Sequence, residues 1–75
     1  MTEDSSRPLD ALNKAKGNRV ILSLKNGEEI IGVLNAFDLH LNLWLEDAER
    51  RSNDKTTKLG TIVIRGDNIL FISPA

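Results

Sequence analysis

The chain has 75 residues, no cysteine, one histidine and a formal net charge of −1 at pH 7. This length allows one domain. The absence of cysteine excludes disulfides and thiolate metal sites, and we expect no metal or other cofactor. No apolar run approaches the ~20 residues of a membrane span and no signal-peptide pattern opens the chain, so we expect a soluble cytoplasmic protein. The balanced charge does not favour non-specific nucleic-acid binding, so an anionic partner would require a local arrangement of cations.

The beginning of the chain predicts a flexible tail followed by a short helix. Residues Met1–Ser6 are polar and acidic, which is typical of a mobile tail. Residues 7–17 predict the helix, because Asp10 lies early and Lys14 lies late, as the helix dipole favours, and a glycine ends the segment. We assign residues 7–75 to a single domain.

The rest of the chain predicts antiparallel β structure. Asn26-Gly27 is a strong hairpin signal with positive φ expected at both residues, and Gly32 inside a strand indicates a bend or bulge. The segment 50–57 predicts a polar loop. The predicted strands cover residues 19–25, 28–37, 39–49, 58–65 and 69–73. Together with the helix they predict a mostly β protein with a strongly bent five-stranded antiparallel barrel.

A leucine at every second position marks the third predicted strand. From Leu39 to Leu45 the alternation predicts four leucines on a buried face, with His40 and Asn42 on the other face. Asp38 lies one step back along the same face. An aspartate, the sole histidine and an asparagine would therefore meet at one strand entry, where side chains can converge on a ligand.

The last two predicted strands are apolar on both faces, over residues 61–64 and 69–72. Such strands at a sheet edge would pair with another chain. Head-to-tail pairing of identical subunits produces a closed ring when the rotation closes.

Two segments of the chain resemble the two-part Sm motif, in the form that is closest to archaeal Sm-like proteins. The first runs from Asn26-Gly27 through residues 31–34 and Phe37-Asp38 to Asn42, and the second covers residues 62–67. The resemblance extends over residues 7–74. It implies an SH3-like Sm-type barrel capped by the helix, and a homo-oligomeric ring that in archaeal members usually has seven subunits. It also implies that the ring binds uridine-rich single-stranded RNA around a central pore and acts as an RNA chaperone or scaffold in RNA processing. The sequence leaves a ring of six, seven or eight subunits open.

The resemblance also assigns a role to each residue of the expected RNA pocket. His40 and Arg65 are expected to stack on a uracil, and Asn42 is expected to form a hydrogen bond with the edge of the base. Asp38 would orient the Asn42 amide. Gly66 would allow the backbone to come close, and Asp67 would support the pocket from the turn. The residue types suit this chemistry, because flat groups stack on bases and an amide matches the adjoining acceptor and donor of uracil.

Some alternatives stay open at this point. A second RNA contact, implied by some archaeal relatives, would use Arg7 and Phe37, but Phe37 can equally fill the core under the helix. Trp44 is interpreted as a packing or interface residue. An enzyme is not expected, because the chain offers no cysteine and one histidine. The alternative function is a small-barrel protein-interaction module without RNA specificity.

Overall fold

The computed structural model describes residues 8–75, so the predicted tail Met1–Ser6 and Arg7 lie outside the described residues. The helix and strands follow the predicted order. They are α1 Pro8–Ala15, β1 Arg19–Leu24, β2 Glu29–Phe37, β3 Leu43–Ser52, β4 Lys55–Ile64, a 3₁₀ turn Gly66–Asn68 and β5 Ile69–Pro74. Within residues 8–75 no helix has the length and apolar character needed to cross a membrane.

The five strands form one antiparallel sheet in the order β4-β3-β2-β1-β5. This arrangement confirms the predicted helix followed by five antiparallel strands. The sheet is not closed, since β4 and β5 are its two edges and do not pair with each other within the described residues. The expected barrel is therefore an open sheet in the single chain.

Irregular pairing bends the sheet near its middle. The β2–β3 register shifts around Gly32, and the β3–β4 register shifts between Leu45 and Glu49. A Cβ at Gly32 would lie 3.2 Å from the Ala48 Cα, so the two backbones approach closely there. Gly32 is needed at the predicted bend because a side chain there would contact the β3 backbone at Ala48. The irregular pairing of β3 with β4 near Ala48 is a bulge on the strand that faces Gly32.

The bent sheet wraps around one apolar core. Its fully buried members come from β1, β2 and β3: Val20, Leu22, Ile30, Leu34, Leu43, Leu45 and Ala48. Leu12 and Ala15 of α1 pack against this cluster from one side. The backbone N–H of Gly17 donates to the Leu34 carbonyl at 2.7 Å, which fixes the end of the helix to β2.

The predicted strand over residues 39–49 is wrong in its first part. Residues 38–42 form a turn, with φ of 62° at Leu41, and β3 begins at Leu43. Leu43 and Leu45 are buried as expected, whereas Leu39 is 81% exposed. The cause is local: the Asp38 side chain binds the backbone N–H groups that a strand would use for its ladder.

The predicted polar loop over residues 50–57 is also wrong. The β3–β4 pair continues to Ser52 and Lys55, and a two-residue turn at Asn53 and Asp54 connects the strands. Both turn residues have positive φ, 51° and 65°, as a tight hairpin requires. Asn and Asp tolerate this conformation without glycine, which is why the segment reads as a loop in the sequence.

The hairpin at Asn26-Gly27 is confirmed, but its expected geometry is wrong. Only Gly27 has a positive φ, 89°. Its N–H donates to the Leu24 carbonyl at 3.0 Å, and the Asn26 side chain accepts the N–H of Glu28 at 3.0 Å. The Leu24 N–H also donates to the Glu28 carbonyl at 2.9 Å, so the loop has three residues, 25–27, and only its last residue adopts positive φ.

Candidate nucleic-acid interface

Asp38 organises the turn that precedes β3. Its Oδ1 accepts the backbone N–H of His40 at 2.9 Å and that of Asn42 at 3.0 Å, and its Oδ2 accepts the Asn42 side-chain Nδ2 at 3.1 Å. The Asp38 backbone N–H donates to the Asn42 carbonyl at 3.2 Å. One carboxylate thus sets both the path of the turn and the orientation of the Asn42 amide.

The Asn42 amide has its two ends held by different segments. Its Nδ2 donates to Asp38, and its Oδ1 accepts the backbone N–H of Gly66 at 3.0 Å. These neighbours determine which end is oxygen, because a carboxylate cannot donate and an N–H cannot accept. An amide has two donor and two acceptor positions, so one donor and one acceptor remain for a ligand. This pair matches the N–H and carbonyl along the edge of uracil.

Gly66 brings the second motif segment against the first. A Cβ at this residue would lie 2.5 Å from the His40 carbonyl oxygen and 2.7 Å from that of Leu41. The two backbone segments therefore lie too close for a side chain at residue 66, and the role of Gly66 in binding RNA stays a prediction. The sequence did not reveal the second use of Gly66, in which its N–H holds the Asn42 oxygen, because backbone donors have no residue signature.

The two expected stacking residues lie on these adjoining segments. His40 is exposed in the turn after Asp38. The Arg65 side chain is 77% exposed at the end of β4 and forms an ion pair of 3.5 Å with Asp67, whose side chain is 63% exposed. A surface pair of this kind contributes little stability, so the guanidinium remains available to a ligand.

The charge of Asp38 is favoured by its surroundings. Hydrogen bonds from the Asn42 backbone and then from the Asn42 side chain hold the pKa of the carboxyl below its ordinary value of 3.8. Burial opposes them, and the His40 backbone N–H and the His40 charge lower the pKa by smaller amounts. The carboxylate is therefore the form that the turn requires.

The second RNA contact expected from the family resemblance would use Arg7 and Phe37. Arg7 lies outside the described residues. Phe37 is half-buried and packs against the core cluster, opposite Leu43. This position gives Phe37 a packing role, and its contact with RNA stays a prediction.

Comparison with known proteins gives the family. The LSM domain profile matches residues 10–74. An snRNP Sm-like protein of Archaeoglobus fulgidus is 49% identical over 70 residues, which is 92% of this chain and 91% of that protein. A solved heptameric archaeal Sm protein superimposes with a TM-score of 0.83 at 46% identity, covering 87% of this chain and 96% of its own.

A further solved structure carries a ligand. The Pyrococcus abyssi Sm protein in complex with a uridine heptamer has a TM-score of 0.88 and 44% identity, and covers 93% of this chain and 100% of its own. The sequence, the order of the strands and the interlocked motif segments all lead to one class of small β domain. The chain belongs to the LSM-domain family and, within it, to the archaeal Sm-like proteins.

Proposed function

We propose that this chain binds uridine-rich single-stranded RNA as a closed homo-oligomeric ring, with one base pocket per subunit around a central pore, and acts as an RNA scaffold or chaperone in RNA processing. The observation that carries the proposal is the Asn42 amide, which two segments hold with one donor and one acceptor still free. His40 and Arg65 supply the flat groups that stack on the base, and Asp67 supports Arg65 from the turn. The proposal places the protein in the cytoplasm and gives no residue a catalytic role.

Base preference follows from the hydrogen-bonding pattern. Uracil presents an N–H between two carbonyls, so the free donor and acceptor of Asn42 can both be used. Cytosine has no N–H at the corresponding ring position, so the paired contact is lost. Stacking contributes about 1–3 kcal/mol per base and is tolerant of sequence, so discrimination belongs to the amide.

The ring accounts for the two edges of the sheet. β4 and β5 each leave one side unpaired within the described residues, and joining β4 of one subunit to β5 of the next would satisfy both and continue the sheet into a closed barrel wall. The similarity to a heptameric archaeal Sm protein supports a ring of seven subunits. The similarity to the P. abyssi Sm protein in complex with a uridine heptamer supports uridine-rich RNA as the ligand. Several weak pockets on one circle gain affinity through effective concentration.

A direct binding comparison tests the function. Oligomers of uridine, cytidine and adenosine of equal length are titrated at one fixed salt concentration, because phosphate contacts depend on salt. We expect uridine to bind most tightly. Equal affinity for uridine and cytidine would remove the role of Asn42, and absence of all RNA binding would favour the interaction-module alternative.

Native mass spectrometry tests the ring. We expect a homo-oligomer with no substantial monomer at micromolar concentration, and a stable folded monomer of 8.3 kDa would contradict it. Phe71→Lys is the appropriate disrupting variant, because Phe71 is 60% exposed on the edge strand. Ile72 packs against the core, so a charge there would damage the fold itself.

A further inference from the structure

The β1–β2 hairpin carries a reactive pair of residues that the proposed function does not use. Asn26 is the only asparagine in the chain that is followed by glycine, and Asn26 and Gly27 are both exposed. The backbone nitrogen that follows an asparagine can attack the carbon of the side-chain amide. Glycine hinders this attack least, because it has no side chain. Asn26-Gly27 is therefore the position at which this chain is most open to spontaneous deamidation.

Hydrogen bonds of the closed hairpin hold both reacting groups. The Gly27 N–H, whose nitrogen is the nucleophile, donates to the Leu24 carbonyl at 3.0 Å. The Asn26 Oδ1 accepts the N–H of Glu28 at 3.0 Å, and the Asn26 Nδ2 donates to the Glu28 carboxylate at 3.3 Å. The Glu28 N–H polarises the amide carbonyl, but the nitrogen must lose its proton before it attacks. The bond to Leu24 therefore opposes the reaction while the hairpin is closed, and opening the hairpin removes this protection.

The same hairpin lies against the segment that carries Arg65. The N–H of Lys25 donates to the Asn68 carbonyl at 2.9 Å, and the N–H of Asn68 donates to the Arg65 carbonyl at 3.1 Å. One cleft of about 410 Å³ is lined by residues of both segments, among them Lys25, Asn26, Arg65 and Asn68. A new charge at Asn26, or a change in the length of its backbone, would therefore act beside the residue that is expected to stack on the base.

We propose that Asn26 is a deamidation site which the closed hairpin protects, and that its modification weakens the binding of RNA by the ring. In the reaction the Gly27 nitrogen loses its proton and bonds to the Asn26 Cγ, and the side-chain nitrogen takes up a proton and leaves as ammonia. Water then opens the resulting cyclic imide at one of its two carbonyls, which gives either aspartate or isoaspartate. The loss of RNA affinity rests on the proposed function, whereas the deamidation itself does not.

Both products change the cleft beside Arg65. Aspartate loses the donor of the 3.3 Å bond to Glu28, so two carboxylates adjoin there, and the added negative charge opposes an RNA phosphate. Isoaspartate also lengthens the main chain by one atom within the loop of residues 25–27, which displaces the bond from Lys25 to Asn68. Either product should therefore lower the RNA affinity of its own subunit, and a ring would accumulate these losses.

Incubation at mildly alkaline pH tests the chemistry. The folded parent, the parent in denaturant and Asn26→Gln are compared, and fragmentation in a mass spectrometer locates the modified residue. Asn26→Gln is the matched control, because it keeps the amide but needs a larger ring to close. We expect Asn26 to react at least about tenfold more slowly in the folded parent than in denaturant, the factor that an opening free energy of about 1.4 kcal/mol gives. Residue 26 of Asn26→Gln should stay intact, and equal rates in the folded and unfolded parent would overturn the protection by the hairpin.

Two variants with the same added charge test the effect on RNA binding. Asn26→Asp reproduces one product, and Asn53→Asp places the charge in the β3–β4 turn, in a cleft whose lining does not include Arg65. On rings of verified mass, we expect Asn26→Asp to lower the affinity for oligouridine by about two- to fivefold per pocket, the scale of one exposed charge pair, with a smaller loss at high salt. Asn53→Asp should bind as the parent does. An Asn26→Asp ring with the parent's affinity would overturn the effect on binding, whereas a parent ring that binds no oligouridine would overturn the proposed function.

Discussion

The two ends of the β3–β4 pair are closed by different kinds of contact. At the hairpin end, residues 52–55, two residues with positive φ reverse the chain through backbone geometry alone. At the pocket end, residues 38–42 and 65–68, side-chain hydrogen bonds of Asp38 and Asn42 join two segments. A turn set by backbone geometry requires only residue types that tolerate positive φ, such as Asn, Asp and Gly. A junction formed by individual side-chain hydrogen bonds depends on each of these side chains. We therefore expect a base to be recognised at the pocket end of the β3–β4 pair.

The largest expected effect comes from adding one methyl group at the pocket end. In Gly66→Ala the Cβ would fall 2.5 Å from the His40 carbonyl oxygen, so the two segments must separate and the bond to Asn42 is lost. We expect oligouridine binding to fall below detection in titrations on rings of verified mass. Gly60→Ala is the control: its φ of 76° gives a backbone cost of about 1–2 kcal/mol, but no atom lies within 4 Å of the added Cβ. Equal loss of binding in both variants would contradict the role given to the Gly66 contact.

Changing one atom group of Asn42 should have the next largest effect. Asn42→Asp keeps the shape but places two carboxylates where a hydrogen bond of 3.1 Å now exists, so the turn and the base contact are both lost. Asn42→Ala should weaken uridine binding and narrow the gap between uridine and cytidine, because stacking remains. The measurement is the ratio of the two affinities at one salt concentration. An Asn42→Ala ring with unchanged discrimination would show that the base is read elsewhere.

The stacking residues should give a smaller loss without a change in preference. His40→Ala is expected to weaken uridine binding by about 1–3 kcal/mol per occupied pocket. Arg65→Lys should not preserve affinity, because lysine keeps the charge and loses the planar group. If Arg65→Lys binds as the parent does, stacking is wrong and Arg65 contacts only phosphate. Removing the charge in Arg65→Ala should then reduce the dependence of the affinity on salt concentration.

Acid should loosen the pocket end selectively. The pKa of Asp38 is lowered in the folded chain by the Asn42 and His40 hydrogen bonds, so its stabilising effect is present above the ordinary value of 3.8 and is lost as pH falls through the folded pKa. The backbone amide signal of Asn42, whose N–H donates to Asp38 Oδ1 at 3.0 Å, should therefore shift as pH falls below 3.8. Asp38→Asn should abolish this transition, and an unchanged acid transition in Asp38→Asn would assign it to another carboxylate.

The smallest effect is expected at the hairpin end. Asp54 has φ of 65°, where glycine has no steric cost, and Asn-Gly is the preferred pair for this turn. Asp54→Gly should leave stability within about 1 kcal/mol of the parent and leave uridine binding unchanged. Denaturant unfolding and RNA titration measure the two quantities. A changed base preference in Asp54→Gly would mean that the two ends are not independent.

The sequence predicted those features that depend on periodicity and glycine. The order of one helix and five strands, the hairpin at Asn26-Gly27 and the bend at Gly32 all follow from such signals. The predictions were wrong where a short polar side chain, and not periodicity or glycine, determined the path of the backbone. Asp38 binds the backbone of residues 40 and 42 and keeps the first two leucines of the alternation, Leu39 and Leu41, out of the strand. Asn53 and Asp54 adopt positive φ without glycine.

The candidate site was predictable only in part for a similar reason. The family resemblance assigns Asp38 the role of orienting Asn42, four residues later, and the structure contains a hydrogen bond between the two side chains. The bond from the Gly66 N–H to the Asn42 oxygen spans 24 residues and uses a backbone group. Only the pairing of β3 with β4 brings these atoms together, so the contact follows from the fold and not from a local pattern.

The length of that span has a consequence for the order of folding. The turn at Asn53 and Asp54 lies midway between Asn42 and Gly66, so the hairpin can nucleate at the turn, on the microsecond scale of hairpins, and lengthen toward the pocket. The Asn42–Gly66 bond then forms last. A nascent or partly folded chain carries every residue of the candidate site without their assembled arrangement, so we expect RNA to bind only the chain that has finished folding.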